Sequence, residues 1–130
     1  MAANALVDRS FYIDRLRSGE DPLEELAAAA DDWEILTCGV VKSQVLRGLK
    51  FKNANRRMTE AMDCMICLPT STAVWDRVIR LAWELDRAGK FLQVTDLIIA
   101  ASALEADAAV LTLHSDFRRV PGLHVVSALR

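Results

Sequence analysis

Short apolar runs alternate with longer amphipathic stretches along this chain. Five of the runs are too short and too uninterrupted for surface helices and are typical of buried strands. They cover residues 5–7, 35–38, 66–68, 109–113 and 124–126. The stretches between them are helical candidates over residues 11–18, 22–32, 39–49, 53–64, 71–89 and 95–106. Strands alternating with helices predict an α/β fold, a parallel sheet with right-handed crossovers and helices on both faces.

Capping signals set the ends of two of these helices. Ser71 or Thr72 begins the longest one, which ends at Gly89. Its inward stripe is predicted to be Val74, Val78, Leu81, Ala82 and Leu85. Thr95 is a natural N-cap for the next helix, whose inward stripe is predicted to be Leu97, Ala100, Ala101 and Leu104.

Size and composition limit the possible classes of protein. The 130 residues are 52% hydrophobic, which predicts one domain over residues 1–130. A net charge of −2 excludes a globally basic coat for nucleic acid, although a local basic patch is compatible with it. No stretch has the roughly 18 to 20 uncharged apolar residues of a membrane span, and no basic region precedes an apolar core at the N-terminus. We therefore expect no membrane partner and a cytoplasmic location.

The three cysteines are Cys38, Cys64 and Cys67, an odd number that argues against a disulfide framework. Cys64 and Cys67 have the CxxC spacing of redox and zinc sites. However, zinc would need two further ligands, and no second pair exists. Apolar neighbours surround both residues, so we predict two buried thiols at the edge of a strand.

Three aspartates fall at the ends of predicted elements. Asp8 follows the first strand, Asp96 lies in the first turn of the last long helix, and Asp116 follows the strand 109–113. Each has an ordinary explanation, as an N-cap for Asp8 and Asp116 or as a favourable charge at a helix dipole for Asp96. A parallel sheet would nevertheless bring all three together, and converging carboxylates are costly unless a cation joins them. Mg²⁺ or Mn²⁺ with oxygen ligands would fit, and this predicts metal-dependent phosphoryl chemistry.

Four segments resemble, in order, the motifs of PIN domains, and particularly of VapC-type toxins, the ribonucleases of bacterial toxin–antitoxin pairs. Residues 6–14 look like the opening strand and aspartate, 41–48 like the second motif, 95–104 like the most recognisable helix, and 109–117 like the last acidic turn. The resemblance implies a three-layer αβα sandwich with a parallel sheet of about five strands. It also implies a metal-dependent endoribonuclease that forms a homodimer and is inhibited by a VapB-type antitoxin lying in its groove.

By this resemblance, Asp8 and Asp96 would hold Mg²⁺ or Mn²⁺, and Asp116 would assist. Two positions depart from the family pattern. Gln44 stands where the second motif usually has glutamate, and an amide carries no charge and cannot act as a base. His114 stands where the last turn commonly has an acid, and as a ligand it would move metal preference toward Mn²⁺. The alternative function is therefore a catalytically impaired PIN domain that binds protein or RNA.

Two hydroxyls lie beside these acids. Ser10 could hydrogen-bond a carboxylate or a metal-bound water, with a helix cap slightly favoured. Thr112 could do the same, although a threonine satisfied by backbone is the simpler expectation.

Residues 42–57 contain six bases and no acid, whereas residues 1–41 contain nine acids and three bases. A solvated helix face is the usual meaning of such a run. Because the run surrounds Gln44, we also expect Lys42, Arg47 and Lys50 to contact RNA phosphates, Arg47 above all.

Trp75 and Trp83 lie eight residues apart on one helix, which favours packing in the core or at an interface over base stacking. For partner contacts, the apolar first helix, with Phe11, Tyr12, Ile13 and Leu16, and the segment 22–30 are candidate surfaces. Ordinary core packing explains them equally well.

Overall fold

The computed structural model describes residues 3–129. Within them, five strands form one parallel sheet in the order β3-β2-β1-β4-β5, with helices on both sides. The strands are β1 (Ala3–Val7), β2 (Trp33–Cys38), β3 (Ile66–Leu68), β4 (Ala109–Leu111) and β5 (Val125–Val126). The helices are α1 (Arg9–Arg17), α2 (Pro22–Ala28), α3 (Gly39–Arg47), α4 (Lys52–Asp63), α5 (Thr72–Arg87) and α6 (Val94–Glu105), with a 3₁₀ helix at Ser115–Arg119. The α/β fold predicted from the alternating pattern is confirmed.

The centre of the sheet is β1, whose Ala5, Leu6 and Val7 are completely buried. Leu6 pairs with Leu36 of β2 on one side and with Val110 of β4 on the other. The chain runs from β1 outward to β2 and β3, then crosses back to β4 and β5. The strand order therefore reverses between β1 and β4. A crevice for ligands forms at such a point, outside the carboxyl ends of the strands.

Helix packing follows the predicted stripes closely. Val74, Val78, Leu81 and Leu85 of α5 are buried, and α5 packs against α6. In α6, seven consecutive residues from Leu97 to Ala103 are buried, so this helix is enclosed on all sides rather than along one stripe. A helix that is apolar all round belongs inside the molecule, where its first turn can present Asp96 from a fixed position.

Two caps differ from the sequence predictions. The N-cap of α6 is Gln93, and Thr95 lies inside the helix. Asp116 lies within the first turn of the 3₁₀ helix instead of capping it, because the chain enters that turn at His114. Ser71 is confirmed as the N-cap of α5, since its hydroxyl accepts a hydrogen bond from the Val74 N–H.

The prediction of buried thiols at Cys64 and Cys67 is wrong, because both side chains are exposed. Cys67 lies in β3, which is an edge strand of three residues, and no further strand covers it. The same position leaves Ile66 half exposed, so the expectation that all five strands are buried fails at this edge. Apolar neighbours indicate a strand, but the sequence pattern does not reveal which strand ends the sheet.

The candidate partner surface on α1 is largely core. Phe11 and Tyr12 are buried, and burial raises the pKa of the Tyr12 hydroxyl well above its usual value. Leu16 remains exposed at the far end of the helix. In α2, Pro22 and Leu26 are buried as well. Core packing, the simpler of the two interpretations, is therefore correct for most of these side chains.

Candidate active site

A cleft of about 1090 Å³ lies where the strand order reverses. The predicted residues Asp8, Asp96, Asp116 and His114 all line it, and Ser10 does so as well. Asp8 directly follows β1, Asp96 begins α6, and His114 and Asp116 follow β4. The convergence of the three aspartates on one cleft, which the parallel sheet predicted, is what the structure shows.

Asp8 is buried and is held by two hydroxyl groups. Ser10 Oγ and Thr112 Oγ1 each lie 2.8 Å from Asp8 Oδ2. The Ser10 N–H also points to the same oxygen at 3.4 Å, which makes Asp8 the N-cap of α1. Asp8 is therefore both a helix cap and a cleft residue, two roles that the sequence presented as alternatives. Ser10 and Thr112 bind the carboxylate, and Thr112 Oγ1 also has a backbone partner, the His114 N–H, as the simpler expectation for it required.

The two hydroxyls also accept hydrogen bonds from the backbone and contact each other. Ser10 Oγ accepts from the Leu113 N–H at 2.9 Å, and Thr112 Oγ1 accepts from the His114 N–H at 3.0 Å. The two hydroxyl oxygens lie 3.0 Å apart, and each is within donating distance of Asp8 Oδ2, which as a carboxylate oxygen only accepts. Among residues 3–129, no hydrogen bond or ion pair engages Asp8 Oδ1. One carboxylate oxygen is thus saturated by the protein and the other is left for a ligand.

Asp96 is half buried at the first turn of α6. Its pKa is raised above the usual carboxyl value, mainly by desolvation and next by the negative charge of Asp8. Asp116 adds to the rise, whereas His114 and Arg9 act against it. The acids are therefore close enough to repel one another, and a cation between them would relieve that repulsion.

Asp116 is connected to the far side of the cleft by Arg119. Arg119 Nη2 lies 3.2 Å from Asp116 Oδ1, and Arg119 Nη1 donates to the Phe91 carbonyl at 3.1 Å. His114 is about half exposed, and its Nδ1 lies 3.7 Å from Asp116 Oδ2. This small network fixes Asp116 relative to the turn between α5 and α6.

Gln44 lies on α3, which packs against both α1 and α6. It does not line the cleft itself. Its Oε1 is buried without a hydrogen-bond partner among the described residues. An unsatisfied buried acceptor costs roughly 1–3 kcal/mol, so Gln44 is destabilising in this position among the described residues.

The family model of the PIN domain matches residues 5–123. The chain belongs to the PIN domain family. This match spans the four segments whose resemblance to PIN motifs was noted from the sequence, and it confirms that expectation. A comparison with curated proteins gave no match.

Solved toxin–antitoxin structures share the fold of this PIN domain. VapBC2 from Rickettsia felis, bound to a promoter DNA fragment, is 19% identical with a TM-score of 0.80, covering 95% of this chain and 97% of that one. DNA-bound VapBC from Salmonella typhimurium is 18% identical with a TM-score of 0.79, at 97% and 98% coverage. A toxin–antitoxin complex from Klebsiella pneumoniae is 26% identical with a TM-score of 0.72, at 95% and 96% coverage.

A metal ion in this cleft would need oxygen ligands from several elements. Within residues 3–129, no three side chains of the His, Cys, Asp and Glu types are grouped closely enough to hold an ion by themselves. Mg²⁺ does not require such a cage, because it keeps several waters and is often held by one or two carboxylates and a substrate phosphate. The free Asp8 Oδ1 and the half-buried Asp96 could serve as the carboxylates of that kind of site.

The cleft has basic residues that sequence analysis missed. Arg9, Arg17, Lys90 and Arg119 line it. Of these, only Arg119 forms an ion pair within the described chain. Arg9, Ile13 and Arg17 line the cleft at a spacing of four residues along α1, which places them on one helix face. That spacing would have identified both arginines once Asp8, at the start of the same helix, was assigned to the site.

The predicted RNA contacts lie elsewhere on the surface. Lys42, Arg47 and Lys50 do not line the cleft. Arg47 is exposed at the end of α3, and Lys50 is exposed on the connection from α3 to α4. Lys42 Nζ forms an ion pair with Asp63 Oδ1 at 3.0 Å. The hydrogen bond to Asp63 in this ion pair raises the pKa of Lys42, and the Asp63 carboxylate partly neutralises the charge of Lys42.

No helix in the described part of the chain combines the length and hydropathy needed to cross a membrane.

Proposed function

We propose that this PIN domain is a VapC-type toxin that cleaves RNA phosphodiesters with Mg²⁺ or Mn²⁺ and is neutralised by a VapB-type antitoxin. The observation that carries the proposal is the asymmetric environment of Asp8. Ser10 and Thr112 saturate one oxygen of its carboxylate, and the other oxygen has no protein partner in a cleft that contains Asp96 and Asp116. The PIN family match and the toxin–antitoxin complexes of the same fold support it.

Asp8 and Asp96 would hold the ion, with Asp116 and His114 as further candidate ligands. A bound Mg²⁺ or Mn²⁺ would lower the pKa of a coordinated water and neutralise charge on the phosphodiester. The chain's own groups do the positioning. The two hydroxyls fix the Asp8 carboxylate, and Arg9, Arg17 and Lys90 carry the positive charge that would bind the flanking phosphates.

The family resemblance and the exposed surface of α5 together support a homodimer as the working form of the toxin. Trp75, Ile79 and Trp83 are exposed along one line of α5. Because these side chains are exposed, they do not pack in the core of the domain. Packing at an interface with another chain remains as the explanation for them. An RNA substrate would place the protein in the cytoplasm.

A second candidate function is supported by Gln44. Its neutral amide stands where PIN domains of this type usually have glutamate, and a site short of one charge would bind metal weakly. The protein would then be an impaired PIN domain that acts through antitoxin, RNA or dimer contacts.

One experiment separates the two functions. The purified parent protein, a Gln44→Glu variant and an Asp8→Asn variant are incubated with single-stranded RNA in Mn²⁺ and, separately, in EDTA. Cleavage by the parent that both Asp8→Asn and EDTA abolish supports the nuclease. Cleavage by Gln44→Glu alone supports the impaired module, and cleavage by all three proteins in EDTA would contradict both.

A further inference from the structure

The turn between α5 and α6 places an exposed aromatic ring in the catalytic cleft. Phe91 lines the cleft and is 66% exposed. A single exposed phenylalanine means little on a protein surface. Phe91 differs because most of its neighbours in the cleft are charged or polar, and its sequence neighbour Lys90 lines the same cleft. An apolar ring beside Lys90 and Arg119 suits a flat ligand that also carries negative charge better than a purely apolar ligand.

The backbone around Phe91 is held firmly. The next residue, Leu92, is buried in the core, and the Lys90 N–H donates to the Leu85 carbonyl at 2.8 Å. On the other side, Arg119 Nη1 donates to the Phe91 carbonyl. The ring is therefore attached to a fixed turn, so the backbone that carries it does not lose conformational freedom when a ligand binds.

Arg119 also connects the turn that carries this ring to the acidic side of the cleft. The same guanidinium that binds the Phe91 backbone carbonyl pairs with Asp116, which lines the same cleft. A ligand lying on the ring would therefore share the cleft with this acid.

We propose that Phe91 is a stacking platform for an unpaired nucleobase of an RNA strand bound in this cleft. The inference rests on the proposed nuclease function. Aromatic side chains stack on any base, while cations bind the backbone phosphates, and this combination is how proteins hold single strands. In a duplex the faces of the bases are covered by their neighbours, so a paired strand cannot use the platform.

The test measures binding in EDTA, where no metal-dependent cleavage occurs, by fluorescence anisotropy of a labelled oligoribonucleotide. The parent should bind the single strand more tightly than the same strand annealed to its complement. Phe91→Ala and Phe91→Leu should weaken single-strand binding roughly 5- to 100-fold and leave duplex binding unchanged, whereas Phe91→Tyr should bind like the parent. The leucine variant separates stacking from simple apolar contact.

Phe51→Ala is the matched control, because Phe51 is also an exposed phenylalanine but does not line the cleft. It should bind like the parent. Equal losses of RNA affinity in Phe51→Ala and Phe91→Ala would contradict the stacking platform. A Phe91→Ala variant that binds RNA normally would contradict it as well. So would a Phe91→Ala variant that is monomeric while the parent is dimeric. If the parent neither binds nor cleaves RNA, the proposed nuclease function fails together with this inference. If the parent cleaves RNA and Phe91→Ala binds it unchanged, only the inference fails.

Discussion

At the scale of single residues, the site is built around the Asp8 carboxylate, whose two oxygens have different environments. Asp8 Oδ2 is contacted by the hydroxyls of Ser10 and Thr112, and each of these hydroxyls accepts a hydrogen bond from a backbone N–H group. The arrangement leaves little rotational freedom for the carboxylate. Asp96 is in the opposite situation, since burial and the nearby negative charges make its ionised form unfavourable. The Asp8 carboxylate is therefore held in place before a cation binds, whereas the ionised form of Asp96 is stabilised only when a cation binds nearby.

The raised pKa of Asp96 predicts a pH-dependent cost in stability. A carboxyl whose pKa is higher in the folded than in the unfolded protein binds its proton more tightly when folded. The free energy of unfolding therefore falls as pH rises from the usual carboxyl range through the raised pKa. In EDTA at pH 7, Asp96→Asn should be more stable than the parent, and the difference should shrink as the pH falls toward the usual carboxyl range.

Urea denaturation of the parent and the Asp96→Asn variant across this pH range provides the measurement. Asp86→Asn, on the exposed side of α5, is the control and should change stability by less than about 0.5 kcal/mol. Added Mn²⁺ should stabilise the parent and have little effect on Asp96→Asn. A variant that is less stable than the parent at pH 7 in EDTA would show that the ionised carboxylate is favourable where it lies.

At the scale of elements, the positive charge is divided between two surfaces. The cleft side of α1 carries Arg9 and Arg17, whereas Arg47 ends α3 and Lys50 lies on the connection to α4. Neither pair forms ion pairs within the described residues, in contrast to Lys42 with its partner Asp63. The basic run was visible in the sequence because no acid interrupts its six bases. The basic side of α1 was missed because only two residues form it and Asp14 lies between them in the chain.

Salt titration distinguishes these two surfaces. If RNA follows both, Arg17→Ala and Arg47→Ala should each weaken binding and reduce the slope of log affinity against log salt by about 0.7, the value for one phosphate contact on a single strand. Lys42→Ala is the matched control and should change the slope less, because Asp63 already neutralises that charge. A slope unchanged by Arg47→Ala but reduced by Arg17→Ala would confine the RNA to the cleft.

At the scale of the whole molecule, α5 has apolar residues on two faces. One face packs inside the domain, and the other presents Trp75, Ile79 and Trp83, which are 43%, 65% and 62% exposed. The three are spaced by four residues and form a continuous line, with the Arg87 guanidinium 4.9 Å from the centre of the Trp83 ring. A line of large apolar side chains is typical of a surface that binds another protein.

If this line forms the proposed homodimer, a charge at its centre should separate the subunits. Ile79→Asp would bury an unpaired carboxylate in the interface, so we expect a monomer where the parent is a dimer. Light scattering coupled to size-exclusion chromatography measures the masses. Ile66→Asp, at the exposed edge of β3, should leave the dimer intact. A parent that is monomeric, or an Ile79→Asp variant that remains dimeric, would contradict this interface.

The sequence by itself determined the fold class, most element positions and three of the site's acids. Periodicity and capping report on local preferences, and an aspartate that follows a strand lies at the carboxyl edge wherever that strand enters the sheet. Tertiary structure alone decided that β3 is an exposed edge, that Gln44 Oε1 has no partner, and that Arg17 and Phe91 share a cleft with Asp8. These facts depend on the order of strands and on residues far apart in the chain, so they arise only when distant segments pack together.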